Sequence, residues 1–163
     1  MTTTTETQRG FTLTRTLDAP RDLVFQAWTD PDHLNWFFNP QTTPPGARAE
    51  VDLRVGGAWR LRMIVNEDTD YITGGLYREI VPVEKLVFEW GAVGGWPEID
   101  PARPDAGLVA TVELAEAGEK TEMVFRLDFP DGASDEEVRK LLASGIREGW
   151  ADTIDRLVAA FAG

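Results

Sequence analysis

The sequence predicts an α+β fold in which a curved antiparallel sheet of about six or seven strands wraps around a long C-terminal helix, with two short helices after the first strand. Three observations carry this reading. Apolar and polar residues alternate at 11–17 and again in runs from 51 to 129, the period of half-buried strands. Most of those runs are separated by a few turn-forming residues, too short for the crossovers that parallel strands require. From Val138 onward the apolar spacing changes to steps of three and one and holds to Phe161, the period of a helix with one buried face.

The elements follow in order. Residues 1–10 are Thr-rich and polar and are expected to fray; residues 11–163 are expected to form one domain. Phe11, Leu13 and Leu17 share one face of a first strand. Asp18-Ala-Pro20 stops it, and Pro20 suits the first turn of a helix whose stripe is Leu23, Val24, Phe25, Ala27 and Trp28. Asp30-Pro31 interrupts that helix, and Pro31 opens a second short one carrying Leu34, Trp36, Phe37 and Phe38. After the Pro/Gly-rich loop at 39–46, Val51 and Leu53 lead to a Gly56-Gly57 turn, and Trp59, Leu61, Met63 and Val65 alternate with Arg60 and Arg62. A polar turn at 66–70 leads to a strand with Ile72, Leu76 and Ile80 on one face, and Gly74-Gly75 in its interior marks a bend or bulge. Leu86, Phe88 and Trp90 form the next strand. Beyond the loop at 91–107, runs 108–114 and 123–129 make a second hairpin through Glu116-Ala-Gly-Glu119. Ser134-Asp-Glu-Glu137 is a capping box, and the helix it opens would run about 28 residues, or about 40 Å, without a break. Only that helix is large enough to cover the sheet's apolar face, and a curved sheet closed by one helix leaves room for a cavity.

Composition narrows the function. The chain has 163 residues, 16 basic and 28 acidic, with a formal charge of −12, no cysteine and one histidine. Disulfides, thiolate nucleophiles and thiolate metal centres are excluded, as is any histidine-pair metal motif. The charge repels phosphate backbones and anionic lipid, so neither nucleic acid nor membrane is an expected partner. The start of the chain shows no basic stretch followed by an apolar core, and no apolar run reaches the length of a membrane span; a cytoplasmic location is expected. No cofactor or metal is expected, and a homodimer is left open.

Four blocks of the sequence resemble the activator of Hsp-90 ATPase homologue-like family. They are Arg15-Thr-Leu-Asp-Ala-Pro20 with Val24-Phe25, Ala27-Trp28-Thr-Asp-Pro31, Leu34 and Trp36; then Asp52-Leu-Arg-Val-Gly-Gly-Ala-Trp59-Arg-Leu-Arg-Met63; then Gly75-Leu-Tyr77-Arg-Glu-Ile80 with Leu86-Val-Phe-Glu-Trp90; and last Gly149-Trp150 with Leu157. The resemblance spans about residues 11–161 and implies the helix-grip fold of the START-like superfamily, which includes the birch-pollen-allergen-like (SRPBCC) proteins, together with a ligand pocket. It implies no catalytic residue. The founding activator's separate chaperone-binding domain has no counterpart in this sequence.

The candidate site is the space between sheet and helix. Sixteen aromatics, six of them Trp, either wall an apolar pocket or fill a core; Trp36, Phe38, Trp59, Trp90 and Trp150, with Met63, are the candidate wall. Gly145 and Gly149 fall on the helix's buried stripe at about 1 kcal/mol each relative to Ala. Their missing side chains either leave room for a ligand or let the sheet approach closely. Arg78 points inward if its strand is regular; a bulge at Gly74-Gly75 would turn it to solvent and bring Tyr77 inside, so one of the two is the polar handle. Glu89 is one of three carboxylates that could pair with Arg78. His33, in Asp30-Pro-Asp-His-Leu, reads as a surface imidazole rather than a proton-transfer group. No catalytic residue is assigned. The expected function is binding of a small apolar, lipid-like or aromatic molecule. A cyclase-, aromatase- or hydrolase-like enzyme using the same cavity is the alternative, and a stress-response or chaperone-linked interaction domain is the second.

Overall fold

The structure, a computed structural model, describes residues 10–37, 49–66, 68–92, 94–95, 98–99, 102, 107–130 and 134–161. The expected frayed terminus lies outside these residues except for Gly10, which opens the first strand; Phe38 and the loop at 39–46 lie outside them as well. The strands are β1 (Gly10–Leu17), β2 (Glu50–Val51), β3 (Ala58–Asn66), β4 (Thr69–Val81), β5 (Lys85–Trp90), β6 (Leu108–Ala117) and β7 (Lys120–Asp128). They form one seven-stranded antiparallel sheet in the order β1-β7-β6-β5-β4-β3-β2. Strands β2 to β7 are therefore a meander, as short connections dictate. Strand β1 joins β7 directly, from Gly10 opposite Asp128 to Leu17 opposite Thr121, so the chain between β1 and β2 must cross the whole width of the sheet.

The crossing begins with helix α1 (Arg21–Thr29), which starts after an extended Pro20 whose carbonyl accepts from the Leu23 and Val24 N–H groups. Val24, Ala27 and Trp28 are buried, but Leu23, expected on the stripe, is 45% exposed. The second expected short helix is two single 3₁₀ turns, Pro31–His33 and Asn35–Phe37. Asp30 caps the first by accepting from the Asp32 N–H at 2.9 Å.

Strand β4 corrects the expected register. Trp59, Leu61 and Met63 lie opposite Gly75, Thr73 and Tyr71. The inward face of β4 is thus Tyr71, Thr73, Gly75 and Tyr77, while Ile72 and Leu76 are half-buried on the other face. Gly74-Gly75 is no bulge: both residues pair in regular register with β3. A side chain at Gly75 would collide with the Trp59 indole and the Phe88 ring, so glycine there is the space two aromatics occupy. The bulge falls two residues later, between Tyr77 and Glu79, with Arg78 as the extra residue. Tyr77 is 2% exposed, and Arg78, next along the strand, lies on the outer face, where its Nη2 donates to Glu89 Oε1 at 2.7 Å. A guanidinium in the aromatic interior would need a buried counter-charge; alternation from Tyr77 avoids that, and the bulge then returns Ile80 to the core side, opposite Leu86.

The C-terminal helix is broken. Helix α2 (Asp135–Ala143) opens with both bonds of the capping box, Glu137 N–H to Ser134 Oγ at 3.1 Å and Ser134 N–H to Glu137 Oε1 at 3.2 Å. It ends at Ser144, and Gly145 adopts φ +91° before α3 (Ile146–Phe161) begins. The left-handed conformation at the residue after a C-cap is where glycine terminates helices. The apolar stripe runs through the break without a change of phase, so periodicity alone reads one helix. Helix α3, 16 residues and about 24 Å long, buries Ile146, Trp150, Ile154 and Leu157 and packs chiefly on the Asn35–Phe37 turn and β1.

The two glycines therefore respond oppositely to alanine. Gly145→Ala places a Cβ in the left-handed region and lowers stability by about 1 kcal/mol. Gly149→Ala sits inside α3, where an added Cβ meets no heavy atom within 4 Å, and raises stability by about 0.5–1 kcal/mol. Urea melts of both variants check the signs.

Candidate functional site

On the concave side of the sheet, where α3 leans toward β1, a cleft of about 300 Å³ remains against β3, β4 and β5. The sheet contributes Met63, Tyr71, Thr73 and Trp90 to its wall. The break between the helices contributes Ser144 and Gly145, and α3 contributes Ile146, Gly149, Trp150 and Thr153, four residues on one helical face. Phe37 completes the described lining. Ser144 and Gly149 are solvent-exposed, whereas Thr73, Trp90 and Trp150 are buried. The cleft thus has an open mouth along the helix and an aromatic floor.

At neither glycine does the sheet press on the helix backbone. An added Cβ at Gly149 meets nothing within 4 Å, and one at Gly145 meets only Glu148 Oε1 at 4.0 Å. Gly145 lies in the break rather than on a continuous helix, so its cost is not a helix-propensity cost.

The floor is a cluster of rings. Trp150 lies 4.5 Å from Phe125, 5.0 Å from Trp90 and 5.6 Å from Phe37, edge-on to the last two. The Trp90 indole N–H donates to Thr73 Oγ1 at 3.1 Å, while Trp150 Nε1 is buried with no hydrogen-bond partner among the described residues. Burial raises the pKa of the Tyr71 hydroxyl, which keeps it neutral.

Of the residues expected from sequence, Met63, Trp90, Gly145, Gly149 and Trp150 meet at this cleft. Trp36, Trp59 and Tyr77 belong to the packed core beside it. The Trp36 N–H donates to Ala27 O at 2.8 Å, and Trp59 lies edge-on between Phe37 and Phe88. The Tyr77 hydroxyl is buried without a partner among the described residues, and burial, aided by the Asp52 carboxylate, raises its pKa far above the ordinary phenol value. Arg78 is on the opposite face of the sheet with Glu89. Phe38 lies outside the described residues. His33 is exposed, 3.8 Å from the Asp30 carboxylate and away from the cleft.

Sequence reasoning missed Tyr71, Thr73, Ser144, Ile146 and Thr153 as wall residues, and it missed Arg156. Register was the available signal for Tyr71 and Thr73, because the hairpin places them opposite Met63 and Leu61. Arg156 acts at a distance from its own turn. Its Nε donates to Trp36 O at 3.0 Å and its Nη2 to Phe37 O at 3.0 Å, so it ties the Asn35–Phe37 turn to α3 and holds Phe37 in place. Burial lowers the Arg156 pKa, and Asp152 opposes the shift; the group stays charged.

The described lining offers hydroxyls and rings but no carboxylate, imidazole or amine. Among the described residues no group of three or more His, Asp or Glu side chains could hold a metal ion, and no helix is long and apolar enough to cross a membrane.

A family model described as activator of Hsp90 ATPase homolog 1-like protein matches residues 18–162. The chain belongs to that family. Solved structures agree on the fold. A protein from Arthrobacter aurescens, determined by NMR in solution, superposes with a TM-score of 0.77 at 23% identity, covering 98% of this chain and 91% of that one. A Mycobacterium smegmatis protein gives 0.75 at 19% identity over 98% and 96%. A Nitrosomonas europaea protein gives 0.72 at 22% identity over 94% of each chain. No curated protein matches the sequence.

Two stability tests follow. Arg156→Met leaves two backbone carbonyls without their charged donor and costs about 2 kcal/mol in a denaturant melt. Tyr77→Phe removes a buried hydroxyl that has no acceptor and raises stability by about 1 kcal/mol at neutral pH. Because the folded pKa of Tyr77 lies above the unfolded value of 10.0, its contribution is complete below that pH and is lost as pH rises beyond it. The pH-dependence of stability above about 10 is therefore shallower in Tyr77→Phe than in the parent chain.

Proposed function

We propose that this chain binds a small apolar or aromatic molecule in the cleft between α3 and strands β3–β5, as a cytoplasmic binding protein. The observation that carries the reading is the open space over the Trp90–Trp150 floor, which the missing side chain of Gly149 keeps clear. A volume of about 300 Å³ matches the lower end of small-molecule sites, and rings with a few hydroxyls are the usual lining of one. Membership of the family, whose START-like fold pairs a curved sheet with a C-terminal helix, supports the same reading by analogy. The enzyme alternative needs a convergent acid and base, and the described lining supplies only neutral hydroxyls.

Native mass spectrometry of the purified chain, followed by thermal-shift screening against lipids, flavonoids and polyketide-like aromatics, tests it. A ligand at a hundredfold excess over its Kd stabilises the fold by about 2.7 kcal/mol. Gly149→Leu fills the cleft and abolishes the shift. A panel in which no compound shifts the melt overturns the reading, and a shift that survives in Gly149→Leu puts the ligand elsewhere.

A further inference from the structure

The hydroxyls of the cleft differ in which side of a hydrogen bond they leave open. The Ser144 hydroxyl donates to Leu141 O at 2.6 Å and the Thr153 hydroxyl to Gly149 O at 2.9 Å, so both protons are engaged within the helices. Thr73 is the reverse case. Its oxygen accepts from Trp90 Nε1, its own proton meets no acceptor among the described residues, and the residue is 2% exposed. The Trp90 N–H reaches Thr73, and the Trp90 ring lies edge-on to Trp150 at 5.0 Å. Trp150 Nε1, Trp28 Nε1 and Tyr77 Oη also lack partners among the described residues, but all three atoms are sealed within the core rather than open to the cleft.

A buried donor left unpaired is costly, and an acceptor brought by a ligand relieves that cost only if it arrives at that wall. Neither a cation to match an anionic ligand nor a carboxylate to match a cationic one is present in the described lining. Resting on the reading of the cleft as a binding site, we infer that its ligand is a neutral aromatic carrying a carbonyl-type oxygen, which accepts a hydrogen bond from the Thr73 hydroxyl while the rings of Trp90, Phe37 and Trp150 hold its body. Thr73 is then the residue that sets specificity. Hydrocarbon ligands of the same outline bind by shape alone.

The test uses a matched pair of probes on the full chain, 9-fluorenone and fluorene, which share a ring system and differ by a carbonyl in place of a methylene. Calorimetric titration gives fluorenone about a tenfold lower Kd than fluorene, the equivalent of one neutral hydrogen bond. Thr73→Val lowers the ratio of fluorenone to fluorene affinity several-fold, and taking the ratio cancels any change of shape fit that the two probes share. Thr73→Ser retains the preference. The infrared carbonyl stretch of bound fluorenone lies at lower frequency in the parent chain than in Thr73→Val. Equal affinity for the two probes, or a preference that survives Thr73→Val, overturns the donor assignment and leaves the proposed function standing. A preference lost in Thr73→Ser as well as in Thr73→Val assigns the effect to packing and also overturns it. Binding of neither probe by a chain that binds other compounds of the panel overturns the carbonyl assignment alone, whereas a chain that binds no compound overturns the proposed function and this inference with it.

Discussion

The ring of Trp150 holds the two layers of this protein together. An antiparallel sheet with one apolar face cannot stay in water uncovered, and α3 is seated on that face through this side chain together with Ile146, Ile154 and Leu157. Trp150 meets Phe125 from β7, Trp90 from β5 and Phe37 from the turn that crosses the sheet. Below it, Ile154 and Leu157 are fully buried and the seam toward β1 is closed. Above it, the helix carries Gly149 and then breaks at Gly145, and the seam toward β3 and β4 opens. One residue therefore marks the boundary between solid core and cleft, so the cleft floor is as rigid as the core it belongs to.

Keeping that floor apolar requires charges to be placed elsewhere. Arg78 follows directly on the fully buried Tyr77, and a regular strand would have carried the inward alternation out of phase with Ile80. Alternation from Tyr77 sends the Arg78 guanidinium to the outer face, where it pairs with Glu89, and the bulge there lets Ile80 rejoin the core. Arg156 performs a related task from the helix side. Its guanidinium caps the carbonyls of Trp36 and Phe37, the acceptors that a single 3₁₀ turn leaves unsatisfied at its end, and in doing so it positions the Phe37 ring against Trp59 and Trp150.

Family membership and the cleft speak to different levels of the problem. Structures of 19–23% identity share the fold over nearly the whole chain, and a shared fold does not carry a ligand with it. The question of ligand turns on the inventory of this chain's own cleft. Hydroxyl protons at the mouth are engaged by the helices, and the Thr73 proton over the floor meets no acceptor among the described residues.

Much of the architecture was legible in the residues themselves, because strand alternation, the Ser134 capping box and the terminal stripe are local patterns that burial enforces residue by residue. The family resemblance was legible for the same reason. The site was only half legible. Residues on strongly patterned elements, Met63, Trp90, Gly149 and Trp150, could be assigned a face from spacing. Tyr71, Thr73, Tyr77 and Arg78 could not, since a strand's face depends on which partner it pairs with and where a bulge falls, and a one-residue slip reverses every side chain. Nor does a periodic stripe show a helix break, because a left-handed glycine can redirect the chain without disturbing the order of apolar residues. The amino-acid order alone determined the elements, their antiparallel pairing and the need for a covering helix. Only the tertiary structure decided which rings fill the core and which face open space, because that choice rests on pairing register, one bulge and one backbone angle, and none of these is encoded in composition or period.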